Sequence, residues 1–377
     1  MMTTLAQGSE VLPVPALFAD ALGQTDAVAQ LRASSRRPVH AYLLVGPPGL
    51  GQRGLVRGFG AALLCPRGGC GACDVCRRAL AGLHPDLVEV ERAGPFVTVD
   101  DARRVVRLAQ RRPLEGHRQV IVVSEIHLAR LAAPVLLKTL EEPAGQTVFV
   151  MLADAVPAEL ATVASRCIRI ELRPVPAARM HEWLRETQRV RDDLAAEIAD
   201  AAGGSIDRAR LLSEDARFGQ RRTLWRSVPA RLDGTGAAAA ALSAELLDSA
   251  DGGVEPLRAR HRVELEDLTS ASEQSGERNA QQRKAMEDRH HREERRWRTD
   301  ELRDGLAVLA AAYRDRMLAA TQAHAPGAPE GRIDDRIREI ADAITAVERA
   351  GAELVRNPNE TLLLEALLVR LSAVPGG

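Results

Sequence analysis

An α/β domain followed by helical segments is the fold class this sequence predicts, and three observations carry that prediction. Short apolar runs (Ala41–Val45, Leu87–Val90, Val120–Val123, Val148–Leu152) alternate with helical stretches, the pattern of a mostly parallel sheet covered on both faces. The first run ends in a glycine-rich loop, Gly46-Pro47-Pro48-Gly49-Leu50-Gly51-Gln52-Arg53. From about residue 214 the strand pattern stops and the chain reads as helix alone.

Each element has its own warrant. Ala41–Val45 is a buried strand feeding the glycine turn, and Leu55, Phe59 and Leu63 then recur on one helical face. A second strand covers Leu87–Val90. A helix is expected from about Asp101 to Arg112, acidic at its start and stopped by Pro113. A further helix is expected over Leu128–Glu142, closed by Pro143, between the third and fourth strands. Ile168, Ile170 and Leu172 alternate with Arg169 and Glu171, as a half-buried strand requires. Pro174 and Pro176 mark a boundary. Residues from about 177 to 213 read as short helices interrupted by Gly203-Gly204-Ser205. Residues 252–300 are very highly charged, and mixed signs at helical spacing in Glu287–Arg298 suit a long solvated helix. Two readings of this segment stand side by side, an extended solvated helix and an arm that binds a partner.

The chain of 377 residues has room for two or three domains, and its formal net charge of −1 argues against a whole-protein electrostatic grip on nucleic acid. No apolar run is long enough to span a membrane, and Met1–Glu10 has neither a basic leader nor an apolar signal core, so a cytoplasmic location is expected.

Four of the five cysteines, Cys65, Cys70, Cys73 and Cys76, lie in one short stretch with Gly68, Gly69 and Gly71 between them. Closely spaced thiolates suit tetrahedral zinc; an iron–sulfur cluster or a redox pair uses the same residue type. Zinc is favoured, because nothing in the surrounding pattern points to electron transfer. With four protein ligands such a site has no open position, so its role is structural.

The glycine loop precedes a helix, where backbone N–H groups and the helix dipole favour a phosphate. A working loop ends in Lys and then Ser or Thr, the Lys reaching the outer phosphates and the hydroxyl holding Mg²⁺. Gln52 and Arg53 stand there instead. Arg53 offers charge but cannot coordinate Mg²⁺. The third strand runs into Ser124-Glu125, where a P-loop ATPase has an Asp for its metal. Glu125 is read either as a water-polarising group or as a solvated side chain at a strand end. The loop therefore keeps a nucleotide-binding architecture while lacking its chemistry. Arg166, in Ser165-Arg166-Cys167, is by itself a surface cation, and Cys167 a small buried residue.

A resemblance adds to these readings. His40-Ala41-Tyr42-Leu43, the four-cysteine insertion, His84-Pro85-Asp86, Leu136-Leu137-Lys138-Thr139-Leu140-Glu141-Glu142-Pro143 and Ser165-Arg166-Cys167 resemble the AAA+ clamp-loader family of bacterial DNA polymerase III over roughly residues 18–172. The resemblance implies an α/β P-loop (AAA+) core with the zinc knuckle over 1–173, a small helical lid over 174–213 and an all-α collar for oligomerisation over 214–377. It implies a subunit that binds no ATP productively: Gly46, Gly49, Gly51, Gln52 and Arg53 form a degenerate and empty loop. Arg166 then acts in trans as an arginine finger in a neighbour's ATP site. The implied partners are gamma/tau-type and delta-type subunits in a hetero-pentamer, the sliding clamp, and primed DNA indirectly, with Lys138 as a secondary backbone contact and no membrane. In family ATPases an Arg of the lid follows Gly-Ser and reaches the nucleotide. Asp207 takes that position here, and Arg208, one residue on, is turned away by about 100°. The alternatives are a divergent clamp-loader ATPase, for which Mg²⁺-dependent turnover by the isolated chain is diagnostic, and a zinc-knuckle nucleic-acid-binding protein, for which tight, salt-sensitive DNA binding is.

Overall fold

Alternation of side chains decides how the first part of the chain packs. The computed structural model describes residues 16–19, 21–92, 96–143, 145–272, 279–322, 330–356 and 358–373. Five strands, β1 (Ala41–Val45), β2 (Leu87–Val90), β3 (Gln119–Val123), β4 (Thr147–Ala153) and β5 (Ile168–Glu171), form one sheet in the order β2-β3-β4-β1-β5. Every pairing is parallel; Leu43 lies opposite Met151 on one side and Arg169 on the other. In β1, Tyr42 and Leu44 enter one core while Ala41, Leu43 and Val45 enter the core on the opposite face. Both faces are thus apolar, which is why the strands read as continuous hydrophobic runs.

Helices α1 (Thr25–Arg36), α2 (Gln52–Leu64) and α3 (Asp74–Ala81) carry residues of the first core, with Leu55 and Phe59 fully buried. Helices α4 (Val99–Ala109), α5 (Ala133–Glu141) and α6 (Ala161–Ala164) supply the second. Helix α4 starts at a capping box: Thr98 Oγ1 accepts from Asp101 N, and the Asp101 carboxylate accepts from Thr98 N. It ends at Ala109, earlier than the expected Arg112. Helix α5 begins at Ala133 and not at Leu128, because Ile126–Leu128 forms a separate 3₁₀ turn and Pro134 occupies the start of the helix.

The chain divides into two compact units, residues 1–209 and 210–377. After β5 come α7 (Ala177–Glu186), α8 (Asp192–Ala201) and α9 (Ile206–Glu214). The second unit contains α10 (Phe218–Arg231), α11 (Gly236–Gly252), α12 (Glu255–Ser272), α13 (Asn279–Gln322), α14 (Glu330–Glu353) and α15 (Glu360–Leu371). Its core includes Leu242, Leu246, Leu306, Leu309, Tyr313, Val347 and Leu368. Trp225 lies on the α13 backbone at Gly305, where any Cβ would clash with the indole.

The charged segment departs from its expected solvation. Along α12 and α13, Arg289, His290, His261 and Trp297 are buried. The His261 and His290 rings stack 3.8 Å apart, and His261 faces Glu293 at 2.9 Å and Glu294 at 3.1 Å. The helix is long, as expected, but one of its faces is a polar seam. Among the described residues, no helix is long and apolar enough to cross a membrane.

Candidate nucleotide loop and metal centre

The glycine loop leaves the C-terminal end of β1 and enters α2 at Gln52. Gly49 (φ 88°) and Gly51 (φ 77°) are left-handed, a backbone that side-chain-bearing residues rarely adopt. A Cβ at Gly49 would clash with Ser205 Oγ, which donates to the Gly49 carbonyl at 3.0 Å. Asp207 N donates to the same oxygen at 3.1 Å. The segment after Gly203-Gly204 therefore sits directly on the loop.

Gln52, where a working loop has its Lys, folds back across the turn. Its Oε1 accepts from Leu50 N at 2.9 Å, and its Nε2 donates to Pro47 O at 2.5 Å, with Gly46 O at 3.5 Å. Arg53 Nη2 lies 3.7 Å from Glu91. Glu125 has φ 52° and accepts two hydrogen bonds from Arg92, at 2.8 and 2.9 Å. A bidentate guanidinium pair of this kind leaves the carboxylate less able to polarise water than a free one. Glu125 is thus a partly exposed side chain at the strand end that is also ion-paired, and Arg92 is a residue the sequence reasoning missed. Arg208 is mostly buried, with Nε donating to Ala201 O at 3.0 Å, so its guanidinium is held by the carbonyl end of α8.

The four cysteines converge. Cys65 is the C-cap of α2, Cys73 the N-cap of α3, and their Sγ atoms lie 3.7 Å apart; Cys65 and Cys70 are 3.9 Å apart. All four Sγ atoms lie within 4.8 Å of one another. Zn–S bonds of about 2.3 Å in a tetrahedron place sulfurs roughly 3.8 Å apart, the spacing of the Cys65–Cys73 and Cys65–Cys70 pairs, so four thiols within 4.8 Å of one another suit such an ion. N–H groups of Ala72 and Cys73 point at the Cys70 sulfur and lower its thiol to about 6. At Cys65 burial acts upward, but the N–H groups of Cys70, Arg67 and Gly69 outweigh it and the thiol lies below its usual value. Burial pushes Cys76 up to about 12. This distribution, with one buried proton-holding thiol beside two acidified ones, belongs to the metal-free cluster; a bound cation would deprotonate all four.

Arg166 follows α6 and is partly exposed. Its guanidinium contacts Glu141 of α5, with Nε donating at 2.6 Å, and Nη1 donates to Thr162 O at 2.8 Å. Cys167 Sγ donates to Val163 O at 3.1 Å, and burial raises its thiol to about 12. Lys138 is exposed on α5. The structure thus groups the loop, Gln52, Ser205 and Asp207 together, and pairs Arg166 with Glu141 of α5.

A parallel sheet with a glycine turn between β1 and α2 defines an α/β domain, and Gln52 and Arg53 stand where a phosphate-binding loop has Lys and a hydroxyl. Residues 23–176 match the family described as DNA polymerase III, delta subunit. The DNA polymerase III subunit delta' of Pseudomonas aeruginosa is 39% identical over 153 residues, 38% of this chain and 46% of that protein. The Escherichia coli subunit delta' is 35% identical over 193 residues, 49% of this chain and 58% of that one. The Haemophilus influenzae subunit tau/gamma is 32% identical over 215 residues, 54% of this chain and 31% of that one. The chain thus spans about half the length of the delta' relatives it matches.

Proposed function

We propose that this chain is a non-hydrolysing subunit of a DNA polymerase III clamp loader, of the delta' type, acting in loading of the sliding clamp onto primed DNA. The observation that carries the reading is the loop, in which Gln52 and Arg53 replace the Lys and hydroxyl that ATP cleavage needs. The similarity to both delta' and tau/gamma subunits supports the setting. In this reading 1–173 is an AAA+ core, 174–213 a lid and 214–377 a collar that assembles with gamma/tau-type and delta-type subunits in a cytoplasmic hetero-pentamer. The chain has no ATPase of its own. DNA is a secondary, backbone-directed contact, with Lys138 a contributor.

Cys65, Cys70, Cys73 and Cys76 hold one structural Zn²⁺, which when bound ties the end of α2 to the start of α3. The thiolates themselves position the turn at Gly68, Gly69 and Gly71.

Arg166 is the residue that acts in trans. Its guanidinium is pre-aligned by Glu141 and Thr162, so a neighbour's γ-phosphate meets an ordered donor fork. Finger arginines contribute on the order of 10³–10⁵ in rate at the site they serve. With Arg166→Ala in an assembly reconstituted from purified subunits, hydrolysis stimulated by clamp and primed DNA falls by at least roughly tenfold, and clamp loading falls with it. Equal rates from an assembly of unchanged composition would sink the finger.

A further inference from the structure

Gln52 does more than fail to be a lysine. A phosphate loop binds anions because its backbone N–H groups point inward with no partner of their own, ahead of a helix N-terminus. Here the Gln52 amide supplies such a partner from within: Oε1 takes the Leu50 N–H at 2.9 Å, while Nε2 closes onto Pro47 O at 2.5 Å. One side chain thereby spans the turn, satisfying a donor and an acceptor of the loop together. Gly49 is held from the other side by Ser205 Oγ and Asp207 N on its carbonyl. The neighbouring cations are directed to carboxylates of the same chain, Arg53 to Glu91 and Arg92 to Glu125.

We infer that the Gln52 side chain is an internal stopper of the glycine loop: it takes the Leu50 N–H, a donor that a triphosphate would use, laces the turn shut through the Pro47 carbonyl, and so keeps the site closed to nucleotide, beyond the loss of the lysine charge. The inference rests on the reading of the loop as empty, and goes further by assigning the exclusion to one residue. Two components of exclusion are separable. An alanine at 52 removes the stopper without restoring charge; a lysine removes the stopper and restores charge.

The test is calorimetric titration of the full chain with inorganic tripolyphosphate and with Mg-ATP, for wild type, Gln52→Ala and Gln52→Lys. Wild type is expected to bind neither below millimolar ligand, and Gln52→Ala to bind tripolyphosphate at least roughly tenfold tighter than wild type, with Gln52→Lys tighter again. A folded Gln52→Ala chain that gains less than this overturns the stopper, whether or not Gln52→Lys binds, and leaves the empty-loop reading intact. Micromolar Mg-ATP binding by wild type overturns both. Gln52→Ser serves in place of the alanine variant should that one unfold, judged by circular dichroism.

Discussion

Asp86 is 1% exposed, yet its carboxylate is fully engaged: it accepts from the backbone N–H of Leu114 (2.6 Å), Glu115 (2.9 Å) and Gly116 (2.8 Å). The segment after α4 is thereby pinned beside β2, and Val120 N donates to the Asp86 carbonyl at the start of the β2–β3 ladder. Hydrogen bonds to a charged group are among the stronger ones, and orphaned buried donors add their own penalty. Asp86→Ala is therefore expected to lower stability by about 3 kcal/mol, read from the denaturant midpoint, and Asp86→Asn by less because one carbonyl oxygen remains. An unchanged midpoint in the alanine variant would show that water replaces the carboxylate. Beside it, His84 Nδ1 accepts from Asp86 N at 3.1 Å, and the imidazole is buried. Burial, followed by the Arg78 charge, holds its pKa below the usual histidine value, against the opposing pull of Asp86 and Glu115. A lowered folded pKa means that the unfolded chain binds the proton first. The stability contributed by neutral His84 is thus fully present above about pH 6.5 and is lost as the pH falls below it. Urea midpoints taken on both sides of that value should fall more steeply on acidification for wild type than for His84→Gln; parallel losses would remove His84 from the account.

Legibility in the sequence differed from one element to the next, for reasons of pattern. Four of the five strands were readable because a parallel sheet buried on both faces demands apolar runs; β5, at the sheet edge, was readable from alternation, although of Ile168 and Ile170 only Ile170 is buried; and α2 was readable from the spacing of Leu55, Phe59 and Leu63. The start of α5 was misplaced by several residues: Ile126 is buried and fits helical spacing, but its turn is 3₁₀ and the helix waits for Pro134. Helix α4 ends at Ala109, short of Pro113, because the chain then turns so that Leu114, Glu115 and Gly116 reach Asp86. The seam of α12 and α13 was hidden for a deeper reason. A charge-rich helix reads as solvated, yet His261 with Glu293 and Glu294, and Arg289 with Glu264, satisfy one another across two helices and so bury polar groups that composition assigns to water. At the site, the cysteine cluster and the wrong letters of the loop were visible as residue types at fixed spacing. What Gln52 does, and that Glu125 is taken by Arg92, depend on side-chain direction and lay outside any linear pattern.

Each of the two units has hydrophobic clusters of its own, residues of the sheet core falling in 1–209 and residues such as Leu306, Tyr313 and Leu368 in 210–377. Each unit also has a distinct non-apolar tie: the four cysteines in the first, and in the second Arg221, bonded to Asp215 at 2.5 Å and to Glu301 at 3.1 Å with all three side chains nearly inaccessible. The two ties respond to different reagents, which makes them separable in one chain. Removing a buried guanidinium leaves two buried carboxylates uncompensated, a loss of about 3–5 kcal/mol, whereas a chelator acts only where thiolates hold a metal. A calorimetric scan of the zinc-loaded protein is therefore expected to lose stability in one part of the profile on treatment with a strong chelator, and in another part in Arg221→Met. Metal analysis of the untreated protein should find close to one zinc per chain, and Cys73→Ser should abolish it while reproducing the effect of the chelator. Should chelation and Arg221→Met shift one and the same transition by similar amounts, the chain unfolds as a single cooperative body and the two cores do not act as separate folding units.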